Sequence, residues 1–272
     1  MSADLALVTG GSRGIGRAVA ERLAAEGWRV AVVARSAESA AEAVSALGGE
    51  GHRAIGLDVA DEHGWERAIA EVDERGALGG LVTAAGILGP VGTIETTSPS
   101  ELRRAVEVNL VGTALALHHA VPRLAASGGR AVTLSGGGAT GPLPRYDAYA
   151  ASKAAVVRLT ENVAATGVAV NCVAPGFIAT DIHRGTLEAG PEAAGREYFE
   201  RTRRELEAGG ADLDAVCELV SFLLSGAAAG ISGKLISAQW DPWRDEAFRT
   251  RLASEPDLAT LRRIDDRGFR PA

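Results

Sequence analysis

The apolar positions of this chain fall into short continuous runs of four to seven residues, separated by longer stretches in which apolar and polar residues alternate with helical spacing. Runs such as Leu5-Ala6-Leu7-Val8 and Val30-Ala31-Val32-Val33 carry no polar face, as strands do when both sides of a sheet are covered. The pattern predicts strands near residues 4–9, 29–34, 53–57, 79–84, 129–135, 167–173 and 233–238, with helices between them. Strict alternation of strand and helix implies an α/β fold, a doubly wound parallel sheet of about seven strands with right-handed crossovers on both faces. A ligand would then lie along the carboxyl ends of the strands. Residues 181–212 are rich in charge and interrupt the rhythm, which marks them as a candidate substrate lid. The organisation expected is one domain over 1–239 that includes this lid, followed by an extension, 240–272, packed on the same domain or on a neighbouring subunit.

Composition sharpens this picture in a few places. With 272 residues, 46% hydrophobic and 23% charged, the chain can bury one large core. A net charge of −7 supplies no basic field, which argues against a nucleic-acid partner. No run of about 18 apolar residues would span a membrane, and no leader pattern precedes the first strand. A cytoplasmic location is the expectation. Cys172 and Cys217 lie far apart in apolar surroundings and read as reduced packing residues, while His52, His63, His118, His119 and His183 show no ligand spacing. No metal site is expected.

Two motifs carry chemistry. In Thr9-Gly10-Gly11-Ser12-Arg13-Gly14-Ile15-Gly16, glycines allow positive φ and close approach of backbone to a ligand. The helix that follows offers free N–H groups and a positive dipole end to a pyrophosphate. In Tyr149-Ala150-Ala151-Ser152-Lys153, four-residue spacing places a phenol and an ammonium on one helix face. A neighbouring ammonium favours phenolate and lowers the ordinary tyrosine value of about 10, which prepares the phenol to donate a proton. Tyr146 lacks a lysine four residues later.

Together with Asn109, Pro175-Gly176 and Thr180, these motifs resemble the short-chain dehydrogenase/reductase family in order and spacing across roughly residues 4–238. The resemblance implies a single Rossmann-like domain, a nicotinamide cofactor, hydride exchange between alcohol and ketone, and a homodimer or homotetramer. It assigns Thr9, Gly10, Ser12, Arg13, Gly14, Ile15 and Gly16 to the pyrophosphate, and Asp58-Val59 to the adenine. Ala84, Ala85 and Gly86 fall in a stretch where Thr83 replaces the usual asparagine. Pro175, Gly176, Ile178 and Thr180 fall on the nicotinamide amide. Lys153 would bind the nicotinamide ribose, Tyr149 would act as acid and base, and Asn109 would hold a water in a proton relay. The second strand ends at Ala34-Arg35, without the acid that would hold ribose hydroxyls. Arg13 and Arg35 could flank a 2′-phosphate instead, so NADP(H) is the cofactor expected.

The chain departs from the family pattern in its catalytic loop and its ending. A gapless overlay puts the catalytic serine position on Gly136, so the available hydroxyl is Ser135, which the run Gly136-Gly137-Gly138 could re-aim toward a carbonyl. The alternative is a strand-end serine, with another group as donor. The extension carries Trp240, Asp241, Trp243, Arg244, Asp245, Arg262, Arg263, Asp265 and Asp266. These residues either meet a small polar substrate such as a sugar, cyclitol or natural-product ketone, or simply pack as a tail. The activity expected is NADPH-dependent reduction of a ketone to a secondary alcohol, or the reverse. The alternative is a catalytically weak NADP(H)-binding sensor or regulatory protein. Sugar-nucleotide epimerase chemistry is disfavoured by the short chain.

Overall fold

The computed structural model describes residues 5–262. Its sheet contains seven parallel strands in the order β3-β2-β1-β4-β5-β6-β7. They are β1 (Leu5–Thr9), β2 (Arg29–Ala34), β3 (Arg53–Gly56), β4 (Leu78–Thr83), β5 (Arg130–Leu134), β6 (Ala169–Ala174) and β7 (Leu235–Ser237). All seven fall within a few residues of the apolar runs. The order reverses beside β1: its two neighbours, β2 and β4, lead away in opposite directions. This leaves a crevice at the carboxyl ends.

Successive strand residues point to opposite faces, and each face has its own core. Ala6, Val8, Val30, Val32, Val132 and Val173 belong to one buried cluster. It is covered by α1 (Gly14–Ala25), α2 (Ala37–Ser45) and α9 (Leu213–Leu224). Leu5, Leu7, Ala31, Val33 and Leu81 belong to the other. There they meet α3 (Glu62–Asp73) and α5 (Gly112–Ser127), with α6 (Asp147–Ala164) beside them. Trp65 of α3 is fully buried, and its indole N–H donates to the Val59 carbonyl at 2.8 Å. That bond satisfies its one polar atom.

Between β4 and α5, α4 (Pro99–Val106) runs into a π-helical turn, Glu107–Val111, which carries Asn109. Such turns are inserted where a helix must re-aim a side chain. The charged stretch 181–212 begins with a short 3₁₀ turn, Asp181–His183, and continues as α7 (Arg184–Ala194) and α8 (Arg196–Glu207). α7 is broken at Gly190, φ 76°, immediately before Pro191, since proline removes a donor and clashes with the preceding turn.

Residues 240–262 pack on their own domain. Trp243 and Leu252, the latter on α10 (Glu246–Ser254), are buried in the α1/α9 core. Asp245 caps α10 by accepting from the Ala247 N–H. Lys234, just before β7, donates to the carbonyls of Glu255, Pro256 and Leu258 at 2.6–3.0 Å. A cation at the end of a helix is favourable for its dipole. Among the described residues, no helix is long and apolar enough to cross a membrane.

Candidate active site

The glycine loop sits where β1 feeds α1, and packing shows why its glycines cannot carry side chains. A Cβ at Gly10, φ 65°, would lie 2.7 Å from the backbone of Ala85, and one at Gly16 would lie 2.4 Å from the Gly10 carbonyl oxygen. α1 has no side-chain cap, so its first N–H groups remain available to a phosphate. These atoms open onto a cavity of about 1390 Å³ along the strand ends. That volume exceeds the roughly 300–1,000 Å³ of an ordinary small-molecule site, leaving room for a dinucleotide and a substrate together.

At one end the cavity is lined by Arg35, Ser36, Asp58 and Val59. Asp58 accepts from the Ala60 N–H at 3.1 Å, and its other oxygen is held by Arg104. Arg13 reaches Asp181 at 3.8 Å, whereas Arg35 forms no ion pair among the described residues. Midway, the Ala85 N–H donates to the Thr9 hydroxyl at 3.2 Å, tying the 84–86 loop to the glycine turn. The Thr83 hydroxyl is buried without a partner among the described residues, so the replacement of asparagine leaves a bare acceptor beneath the site. Farther along, Gly176, φ 84°, turns the chain toward Ile178 and Thr180. Gly14 approaches the Thr180 methyl so closely that a Cβ would stand 3.3 Å from it.

Tyr149 and Lys153 are brought to the cavity floor by α6. The Lys153 ammonium lies 5.8 Å from the centroid of the Tyr149 ring and donates to the Leu134 carbonyl at 3.0 Å. Burial lowers its pKa from the ordinary 10.5 to about 8. The expected depression of Tyr149 by this lysine is not what the structure shows. Burial dominates and pushes the phenol above its ordinary value, since desolvation disfavours the phenolate. Tyr146 takes no part in this pair. It is fully buried, donates to Thr186 at 3.1 Å, and is itself pushed up to about 12 by burial.

The geometry fixes how two further candidates are held. Asn109 is brought to the site, but both its amide N–H groups are used, toward the Ile87 carbonyl at 2.9 Å and the Ser152 hydroxyl at 3.0 Å. Its amide oxygen accepts from the Ile87 N–H at 2.8 Å. The side chain therefore pins the loop after β4 to α6, with both of its donors used. Ser135 is not re-aimed by the glycines after it. Its N–H still bonds the Val173 carbonyl at 2.9 Å, so strand alternation persists and its side chain shares a face with Thr133. The hydroxyl is buried beside the Cys172 thiol, without a directed partner among the described residues. Gly136 is the position that faces the phenol: a Cβ there would stand 2.3 Å from the Tyr149 oxygen.

Sequence reasoning overlooked Tyr198, Arg201 and Thr202 of α8, all of which line the cavity. Their only sequence signal was membership of the charged interruption. Among the described residues of the extension, Trp240 alone reaches the cavity, at its rim and 76% exposed. The other polar groups of the extension are engaged elsewhere. Asp241 accepts from the Ser237 N–H, Arg244 pairs with Glu218 while stacking on Trp243, and Arg262 pairs with Glu161 and Asp257. Arg263, Asp265 and Asp266 lie outside the described residues.

A crevice of this shape over a half-buried tyrosine and a buried lysine defines a dinucleotide-dependent oxidoreductase, and comparison with known proteins agrees. The short chain dehydrogenase family model matches residues 4–189, and the chain belongs to that family. It is 36% identical over 245 residues to the uncharacterized oxidoreductase YgfF of Escherichia coli (strain K12), a match covering 85% of this chain and 97% of that protein. It is also 36% identical over 247 residues to cis-4-hydroxycyclohexanecarboxylate dehydrogenase of Sinomonas cyclohexanicum, covering 86% and 94%. The crystal structure of levodione reductase superposes with a TM-score of 0.78 at 28% identity, covering 90% of this chain and 98% of that one. The protein is thus an oxidoreductase of the carbonyl/alcohol type that uses a nicotinamide cofactor.

Proposed function

We propose that the protein is an NADP(H)-dependent oxidoreductase that reduces a ketone on a small polar substrate to a secondary alcohol, or runs the reverse. The observation that carries this reading is the pair formed by a half-buried Tyr149 and a buried Lys153 in a cavity whose far end is lined by Arg35, which forms no ion pair among the described residues. A nicotinamide dinucleotide bound along the glycine loop would supply the hydride. Tyr149 stays protonated because burial holds its pKa up, and it donates that proton to the carbonyl oxygen as negative charge develops. Lys153, anchored on Leu134, is placed to hold ribose hydroxyls and to stabilise the tyrosinate left behind. Asn109 keeps the loop over α6 in register. Turnover of NADPH with a panel of polar ketones is the test. Tight nucleotide binding without turnover would favour the sensor reading, for which bare Gly136 is the argument.

Cofactor choice follows from charge at the end of β2. Ala34 places no acid there, while Arg35 is unpaired and Ser36 caps the start of α2 by accepting from the Ser39 N–H. A 2′-phosphate would meet a guanidinium and a helix N-terminus. NADPH should bind more tightly than NADH, and Arg35→Ala should weaken NADPH about 10- to 100-fold while sparing NADH. Arg13→Ala should add less, since Arg13 already has Asp181 beside it. Dissociation constants for both nucleotides decide it. Equal affinity in the unmodified protein overturns the assignment.

A further inference from the structure

Four arginines among the described residues line the cavity, and their partners divide them. Arg104 is held by Asp58, and Arg13 stands near Asp181. Arg35 and Arg201 form no ion pair among the described residues. Arg35 lies at the nucleotide end, which leaves Arg201 without an assigned task. It is carried by α8 one turn after Tyr198 and beside Thr202, a spacing of three and four residues that puts all three on one helix face. The outer face of α8 is differently arranged: Arg203 is tied to both Glu200 and Glu207.

Arg201 is itself exposed at the cavity, but its neighbours on this helix face are withdrawn from solvent. Thr202 is 1% exposed, lines the cavity, and has a hydroxyl with no partner among the described residues. A buried hydroxyl left unpaired is costly, and a ligand atom would relieve it. Tyr198 packs its ring on Tyr146 at 4.8 Å. The Arg201 charge acts on the Tyr198 phenol, and the Tyr198 phenol in turn acts on Tyr149. The three groups therefore share one electrostatic neighbourhood that ends at the reacting tyrosine. His183, also lining the cavity, is stacked on Phe177 at 3.9 Å and is lowered by burial, so it adds little positive charge there near neutral pH.

We infer that Arg201, with the hydroxyls of Thr202 and Tyr198, binds a carboxylate on the substrate, so that the natural substrate is a keto acid or hydroxy acid whose reacting carbon lies at Tyr149. This rests on the oxidoreductase reading and narrows it. One guanidinium fork matches a planar, singly charged carboxylate in two parallel bonds. A phosphate, with about two charges, would leave the second unmatched. The site would orient the substrate from the end remote from the chemistry, a use of binding energy that fixes the reacting carbon against the acid.

The test uses two ketones of the same ring, 4-oxocyclohexanecarboxylate and its methyl ester, with the unmodified protein, Arg201→Gln and Arg204→Gln. Arg204 likewise forms no ion pair among the described residues but does not line the cavity. The acid should be used with a kcat/KM about 10- to 100-fold above the ester. Arg201→Gln should remove that advantage through the KM of the acid, an effect with no counterpart in Arg204→Gln. A second measurement does not depend on turnover. Cyclohexanecarboxylate, which has no reacting group, should bind the protein loaded with whichever of NADP⁺ and NAD⁺ it prefers, and Arg201→Gln should weaken that binding at least tenfold. Binding that depends on Arg201 without turnover of either ketone supports the carboxylate site while sinking the oxidoreductase reading. Turnover with acid and ester used equally, or carboxylate binding absent or indifferent to Arg201, overturns the site and leaves the oxidoreductase reading intact.

Discussion

Tyr149→Phe is expected to lower kcat by about 10³ or more while changing the NADPH dissociation constant by no more than a few-fold. The substitution removes one oxygen and leaves the ring, which α6 holds against Gly136, so the effect isolates proton donation, worth roughly 10²–10⁴ in rate. Ser135→Ala is the informative companion. Its buried hydroxyl lies beside the Cys172 thiol, so its removal should leave kcat within a few-fold, although a serine donating to the carbonyl would cost about 10² or more. Single-turnover kinetics at saturating NADPH separate the two variants, because product release is then out of the measurement. A fall of 10² for Ser135→Ala would mean that the segment 135–138 rearranges when substrate binds.

Lys153→Met should abolish turnover and, in the cofactor-free protein, raise stability at neutral pH. The lysine is 6% exposed and its pKa falls from 10.5 to about 8. Below pH 8 the folded chain therefore carries a buried ammonium that the unfolded chain would solvate. As pH climbs from 8 to 10.5 the folded state loses that proton first, so the unmodified protein gains stability relative to the variant. The total change across this window is at most about 3 kcal/mol. The Leu134 carbonyl loses its partner in the variant at every pH, which offsets part of the gain without changing its pH dependence. Denaturant unfolding of both proteins at pH 7, 8, 9 and 10 measures the gap. A gap that stays constant would show that the ammonium is well solvated in the native state.

The strands were legible because a parallel sheet covered on both sides needs uninterrupted apolar runs, and Val30-Ala31-Val32-Val33 can serve little else. The glycine loop and the Tyr149-Lys153 pair were legible because their chemistry depends on local spacing. The bonds of Asn109 to the backbone of Ile87 were not visible, since backbone atoms leave no mark in a sequence. For Ser135, alternation along β5 pointed away from the phenol and the flexibility of three glycines pointed toward it. The bond from its N–H to Val173 decides for alternation. Arg201 was hidden for another reason. Residues 196–207 read as a charged, solvated helix, and only the tertiary fold shows which of its arginines is turned toward the cavity. The shift on Tyr149 was misjudged because spacing reports a neighbouring charge and is silent on burial.

The ending of the chain has a bearing on colloidal behaviour. β7 is three residues long and stands at the margin of the sheet, where unsatisfied backbone groups invite pairing with the corresponding strand of another molecule. Here the Leu235 N–H donates to the Ala259 carbonyl at 2.7 Å, and the Lys234 ammonium gathers three carbonyls of the same returning segment. The segment after α10 thus acts as a selvedge that finishes the sheet against unravelling or splicing. A chain ending before residue 255 would keep its crevice and its tyrosine, yet it would present an open seam, and its loss of usefulness would come through precipitation rather than through chemistry.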